Sequence, residues 1–250
     1  MKKSKVPENR INYLIRLSPN FSPRKNRIKF IILHYTGMID FKSCLQRFDS
    51  PASKVSAHWL ISRNGKLYKI VDENNIAWHA GKSKWKENNN LNKTSIGIEL
   101  DNPGHGRNYD FYPKKQMNIL KKLIKNICLK YSVKKENILG HSDIAPDRKA
   151  DPGEFFSWEE LARSNLAFFP DIKSVKNNKI LLTLGDKSKN VLLVKKELKK
   201  IGYSCDNTTK YDLYMKSIVE AFQRRFLPAE INGIVDSKVF SRIYQISKKT

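Results

Sequence analysis

Residues 28–37, IKFIILHYTG, form an unbroken apolar, β-branched run that closes on a glycine. A run of that length without alternation reads as a buried strand ending in a turn, with His34 near its C-terminal end. A buried strand needs partners, and the rest of the chain offers them. AHWLISRNGKLYKIV (57–71) reads as strand, turn, strand, because Asn-Gly supplies the positive-φ positions that a tight hairpin requires. TSIGIELD (94–101) is another short strand, with Glu99 close to its end, and NILGHSD (137–143) a further one that runs into a loop. Between these, residues 113–131 carry Met117, Leu120, Ile124, Ile127 and Cys128 at helical spacing behind Pro113, which suits a first helical position. Strands interleaved with helices, two of them in a hairpin, predict an α/β fold with a mixed central β-sheet flanked by helices.

The flanks differ in character. Residues 1–27 are polar, with Pro7, Pro19 and Pro23, and read as an extended N-terminal arm. Residues 28–169 form the main domain, and 170–180, polar and opened by Pro170, a linker. Residues 181–250 contain VLLVKKELKKIGY and YMKSIVEAFQRRF at helical spacing, with Gly202 as a cap, and predict a small C-terminal three-helix domain. Phe222, Phe226 and Ile234 are expected in its core. Against 24 acidic residues stand 48 Lys and Arg, a net charge of +24 that attracts polyanions and says nothing of fold. No zinc-finger spacing, helix-turn-helix or RRM signature accompanies it, so a specific nucleic-acid partner is not expected. Cys44, Cys128 and Cys205 lie in no motif and read as buried thiols. No run is long and apolar enough for a membrane span, and no signal peptide is visible at the N-terminus.

Histidine is scarce: His34, His58, His79, His105 and His141. His34 and His141 end predicted strands, and Asp151 follows His141 by ten residues in a loop bounded by glycines and prolines. A catalytic zinc takes three protein ligands from His and Asp or Glu and keeps a fourth position open, a set that His34, His141 and Asp151 can supply. Spacing alone leaves Asp143 as a rival ligand. Glu99 is a candidate general base, with a capping or salt-bridged carboxylate as the plainer reading.

FIILHYTG, SAHWLISRNGKLYKIV, AWHAG, TSIGIELDNPG and ILGHSDIAPDRKADPGEFFSW occur in the order of the motifs of zinc-dependent N-acetylmuramoyl-L-alanine amidases of the AmpD/AmiD type, which the chain resembles over residues 28–165. The tail resembles the peptidoglycan-binding domain that often follows such amidases. The resemblance implies one Zn2+ per chain on His34, His141 and Asp151. Glu99 takes the place of the family's catalytic glutamate and Lys149 that of its lysine. The reaction implied is hydrolysis of the amide between N-acetylmuramic acid, or its 1,6-anhydro form, and the L-alanine of the stem peptide. Trp78, His79 and Arg148 become candidates for contact with peptidoglycan or muropeptides, and His58 a structural residue near the site. In one respect the chain departs from its relatives: phage-type amidases carry a catalytic tyrosine where Ala57 stands, so Glu99 must carry more of the proton transfer. A non-catalytic peptidoglycan-recognition protein is the alternative, but this chain retains every implied ligand. The binding domain favours the cell envelope or secretion, the absent leader the cytoplasm.

Overall fold

The computed structural model describes residues 11–172 and 179–250; the first ten residues of the predicted arm and 173–178 of the predicted linker lie outside the described residues. In chain order, the main domain contains strands β1 (Leu14–Ile15), β2 (Phe21–Pro23) and β3 (Phe30–Tyr35), helix α1 (Phe41–Asp49), and strands β4 (Trp59–Ile61) and β5 (Leu67–Lys69). Short strands β6 (Asn75–Ala77), β7 (Lys84–Trp85) and β8 (Asn88–Asn89) precede β9 (Ser95–Leu100), helix α2 (Lys114–Tyr131), strand β10 (Ile138–Gly140), and helices α3 (His141–Ile144) and α4 (Trp158–Arg163). The tail adds β11 (Ile180–Leu182), α5 (Lys189–Ile201), α6 (Leu213–Phe226), β12 (Val235–Asp236) and α7 (Ser237–Ser247).

The central sheet runs β1-β5-β4-β9-β3-β10. β3 lies parallel between β9 and β10, while β4 and β5 form the antiparallel hairpin predicted from Asn-Gly. Residues 30–34 of β3 and all of β9 are buried, because both faces of the sheet are covered. On one face Ile31, Leu33, Ile96 and Ile98 pack against Met117, Leu120, Ile124 and Ile127 of α2. Pro113 stands one place outside this helix, with extended ψ, rather than at its first helical position. The opposite face puts Phe30, Ile32 and Leu139 into one hydrophobic cluster with Val194, Leu198, Phe222 and Phe226 of the tail. The tail's helices thus complete the sheet's second face. Gly202 caps α5, as read from the sequence, and its missing Cβ also matters: one there would meet the Trp85 ring at 2.3 Å.

Residues 11–27 are largely extended and are stitched to neighbouring strands. β1 pairs with β5 and β2 with β6. Arg24 holds the segment down by donating to the carbonyls of Glu73 and Asn75 (both 3.1 Å), Lys93 (2.7 Å) and Ser95 (2.9 Å). Hydrogen bonds from a charged donor contribute more than neutral ones, and loss of this half-buried fork leaves four acceptors to be re-solvated. Arg24→Ala is therefore expected to lower stability by about 2 kcal/mol, measured as a shift of the urea midpoint at unchanged slope.

Candidate metal centre and cleft

The parallel register sets His34 directly beside Glu99 on β9, so the two side chains leave the same face of the sheet near its C-terminal edge. On the other side of β3, β10 ends at Gly140 and His141 opens the short helix α3. The loop 145–153 then folds back, with Ser142 N–H donating to Asp151 O at 2.9 Å. His34 Nδ1 lies 3.0 Å from His141 Nδ1 and 2.9 Å from Asp151 Oδ2, and His141 Nδ1 lies 3.1 Å from that same oxygen. Three ligand atoms thus face one point, and all three side chains are buried.

The hydrogen-bond network fixes the far nitrogen of each ring. His141 Nε2 is 3.1 Å from Ala80 O, which only accepts, so Nε2 carries a proton. For His34 the same result comes through a chain. Ser95 Oγ donates to Leu91 O (2.6 Å) and accepts from His79 Nε2 (3.2 Å); His79 Nδ1 then accepts from His34 Nε2 (2.9 Å). His34 Nδ1 thus faces Asp151 Oδ2. Burial, with the neighbouring His141, depresses His34 to about 4, so it is neutral at pH 7. Burial alone would raise Asp151, but the two imidazoles outweigh it and hold the carboxylate well below its usual range. Two imidazole nitrogens, each ring bonded from behind, and one carboxylate oxygen make a donor set that fits a divalent metal with an open position.

Glu99 is buried, and its Oε2 has no hydrogen-bond partner among the described residues. Burial first and the Asp151 charge second push this carboxyl well above the usual range; Lys149 pulls it part of the way back. Lys149 and Glu99 line the same open cleft of about 690 Å³ as the three ligands.

Trp78 and Arg148 line it too, but Arg148 donates from Nε to Lys82 O (3.2 Å) and from Nη2 to Ala80 O (2.6 Å), so its fork holds the 80–82 loop. His79 lines the cleft with both ring nitrogens engaged by His34 and Ser95. His58 is buried behind the site, accepting from Gly97 N–H at 2.9 Å. Asp143, the rival ligand left open by spacing, turns away from the cleft and bonds Gly140 N–H, Tyr203 and Arg225. Three cleft cations went unnoticed in the sequence: Arg47, Lys54 and Arg107. Among 48 basic residues nothing marks them, and only their convergence on the cleft does.

Residues 24–154 match the family model for N-acetylmuramoyl-L-alanine amidase, and residues 187–243 match that of a peptidoglycan binding domain. N-acetylmuramoyl-L-alanine amidase AmiD of Escherichia coli K12 is 34% identical over 226 residues, 85% of this chain and 79% of the relative. The 1,6-anhydro-N-acetylmuramyl-L-alanine amidase AmpD of Haemophilus influenzae is 35% identical over 59% of this chain and 89% of its own. A solved structure of E. coli AmiD in complex with anhydro-N-acetylmuramic acid-L-Ala-D-gamma-Glu-L-Lys superposes with a TM-score of 0.78 at 30% identity, covering 90% of each chain.

Two outcomes are expected. Ser95→Ala removes the acceptor that fixes His79, and so the His34 tautomer; it should weaken binding of a divalent ion about tenfold, read by competition with a chromophoric chelator. His58 is held at about 3 by burial and by Arg24, below its unfolded value of about 6.5. The unfolded chain therefore binds the extra proton between those values. The stabilisation is complete above about pH 6.5 and is lost as pH falls toward 3, at up to about 1.4 kcal/mol per pH unit. Urea titrations from pH 7 to pH 4 should show that slope reduced in His58→Gln.

Proposed function

The chain belongs to the N-acetylmuramoyl-L-alanine amidase family, and we propose on that footing that it hydrolyses the amide joining N-acetylmuramic acid, or its 1,6-anhydro form, to the L-alanine of the peptidoglycan stem peptide. The observation that carries the reading is the convergence of His34 Nδ1, His141 Nδ1 and Asp151 Oδ2 beside the unpartnered Oε2 of Glu99. A complete ligand set with a carboxyl and a lysine in the same cleft favours catalysis over recognition alone.

We assign the metal as zinc, which supplies an electrophile that acidifies water toward neutrality and polarises a carbonyl. His34, His141 and Asp151 would hold it. Glu99 takes the proton of the attacking water and returns it to the departing nitrogen of L-alanine, since an amide nitrogen leaves poorly unprotonated. Its raised affinity for protons suits a group that must both accept and give one near neutral pH. Lys149 offers positive charge to the carbonyl oxygen as negative charge develops there. Position 57 is an alanine and supplies no acid-base group.

Around this centre, Arg47, Lys54 and Arg107 give the cleft a positive rim that suits stem-peptide carboxylates, while Trp78 offers an apolar wall. Arg148 and His79 act chiefly by holding the cleft's own loop and ligand. The match of residues 187–243 to a peptidoglycan binding domain supports work on wall polymer at the cell envelope. No helix of the described residues is long and apolar enough to cross a membrane.

Mass spectrometry of products from intact peptidoglycan and from a soluble anhydro-muropeptide tests the proposal. Stem peptides beginning at L-alanine should appear and vanish with a chelator. Glu99→Gln should lower kcat by about 10² to 10⁴ and Lys149→Met by about 10² to 10³. No release from either substrate by folded, zinc-loaded protein would end the enzyme reading.

A further inference from the structure

Asp143 lies two residues beyond the ligand His141, is 1% exposed in its side chain, and is held by the C-terminal module. Its Oδ2 accepts from Gly140 N–H (2.8 Å), the peptide immediately before His141, and from Arg225 Nη1 of α6 (2.7 Å). Its Oδ1 accepts from the Tyr203 hydroxyl (2.8 Å), just past the end of α5. Arg225, 4% exposed, also donates from Nη2 to Ile138 O in β10 and to Phe168 O, both at 3.2 Å, and lies 4.0 Å over the Trp158 ring. Tyr203 is wedged edge-on against Trp85, with ring centroids 5.0 Å apart. Among the described residues, every hydrogen bond to this carboxylate, apart from that of Gly140, comes from the tail.

We propose that Arg225 and Tyr203 are positioning residues of the metal centre, acting through Asp143 on His141, so that the C-terminal module sets metal affinity as well as contacting wall polymer. The inference rests on the metal reading above. A buried carboxylate that loses its buried partner cannot stay where it is without solvation, and the cost of an unpaired charge there is large. Asp143 relieves it by turning toward water, which releases Gly140 N–H and loosens the turn on which His141 is mounted. The same turn leads into the loop bearing Lys149 and Asp151, since Ala145 O accepts from Lys149 N–H at 3.1 Å. Asp143 bonds the peptide before His141 and not its ring, so it acts on the ligand through the backbone that carries it, where misplacement is felt in affinity.

The test uses the full chain and zinc ion, with affinity read by competition against a chromophoric chelator well below the melting temperature. Arg225→Met is expected to weaken zinc binding about ten- to a hundredfold. Tyr203→Phe keeps the buried ring and loses only the hydroxyl, and should weaken it by about two- to tenfold; it decides the matter if Arg225→Met does not fold. Tyr211→Phe removes a hydroxyl that bonds Gly233 O inside the module, far from Asp143 in the network, and should lower the melting temperature while leaving zinc affinity at the wild-type value. Wild-type affinity in Tyr203→Phe and in any folded Arg225→Met overturns the proposal. So does an equal loss in Tyr211→Phe, which would mean that module stability alone is being felt. If the wild-type chain itself binds no zinc, it is the metal reading that fails.

Discussion

The parallel pairing of β3 with β9 on one side and β10 on the other is the constraint on which the site depends. Parallel hydrogen bonding locks the three strands in register, and their C-terminal ends deliver His34, Glu99 and His141 to one edge of the sheet. A slip of one residue would send every side chain of a strand to the other face, exchanging His34 for Leu33 or Tyr35. Burial on both faces forbids that slip. Ile31 and Leu33 must stay against α2, and Phe30 and Ile32 against the tail.

That burial also shapes the chemistry. Three acid-base groups within one cleft are driven in different directions by surroundings that differ only in what stands beside each. His34, desolvated and next to a second imidazole, stays neutral. Asp151, between two imidazoles, keeps its charge. Glu99, desolvated near that charge and lacking a partner on Oε2, holds its proton to higher pH. Behind two of the three candidate ligands stands a hydrogen-bond partner: His79 and Ser95 for His34, Ala80 O for His141. The polar groups around the centre thus orient the ligands without competing for the point they share.

The tail enters the same economy of contacts. Its apolar helices complete the second face of the sheet, so the hydrophobic cluster passes without a break from Phe30 and Leu139 to Phe222 and Phe226. The Asp143–Arg225 pair is buried within that contact, where Arg225 Nη2 reaches the carbonyls of Ile138 and Phe168 and the guanidinium face lies on Trp158. Phe222 and Phe226 pack as core, as their spacing predicted, while Ile234 is only partly buried.

What the sequence determined by itself was local. The apolar run of β3, the Asn-Gly hairpin, the helical spacing of α2 and the Gly202 cap are legible because periodicity and turn chemistry act over a few residues. The ordered motifs named His34, Glu99, His141, Lys149 and Asp151 through resemblance. Tertiary structure decided what depends on distance in space. It turned Asp143 away from the cleft and toward Arg225, a residue 82 positions along the chain, and placed His79 behind His34. It also picked Arg47, Lys54 and Arg107 from a crowd of cations as those that rim the cleft. A carboxylate's or an imidazole's role is set by which donor lies within 3 Å, and sequence spacing does not carry that information across a fold.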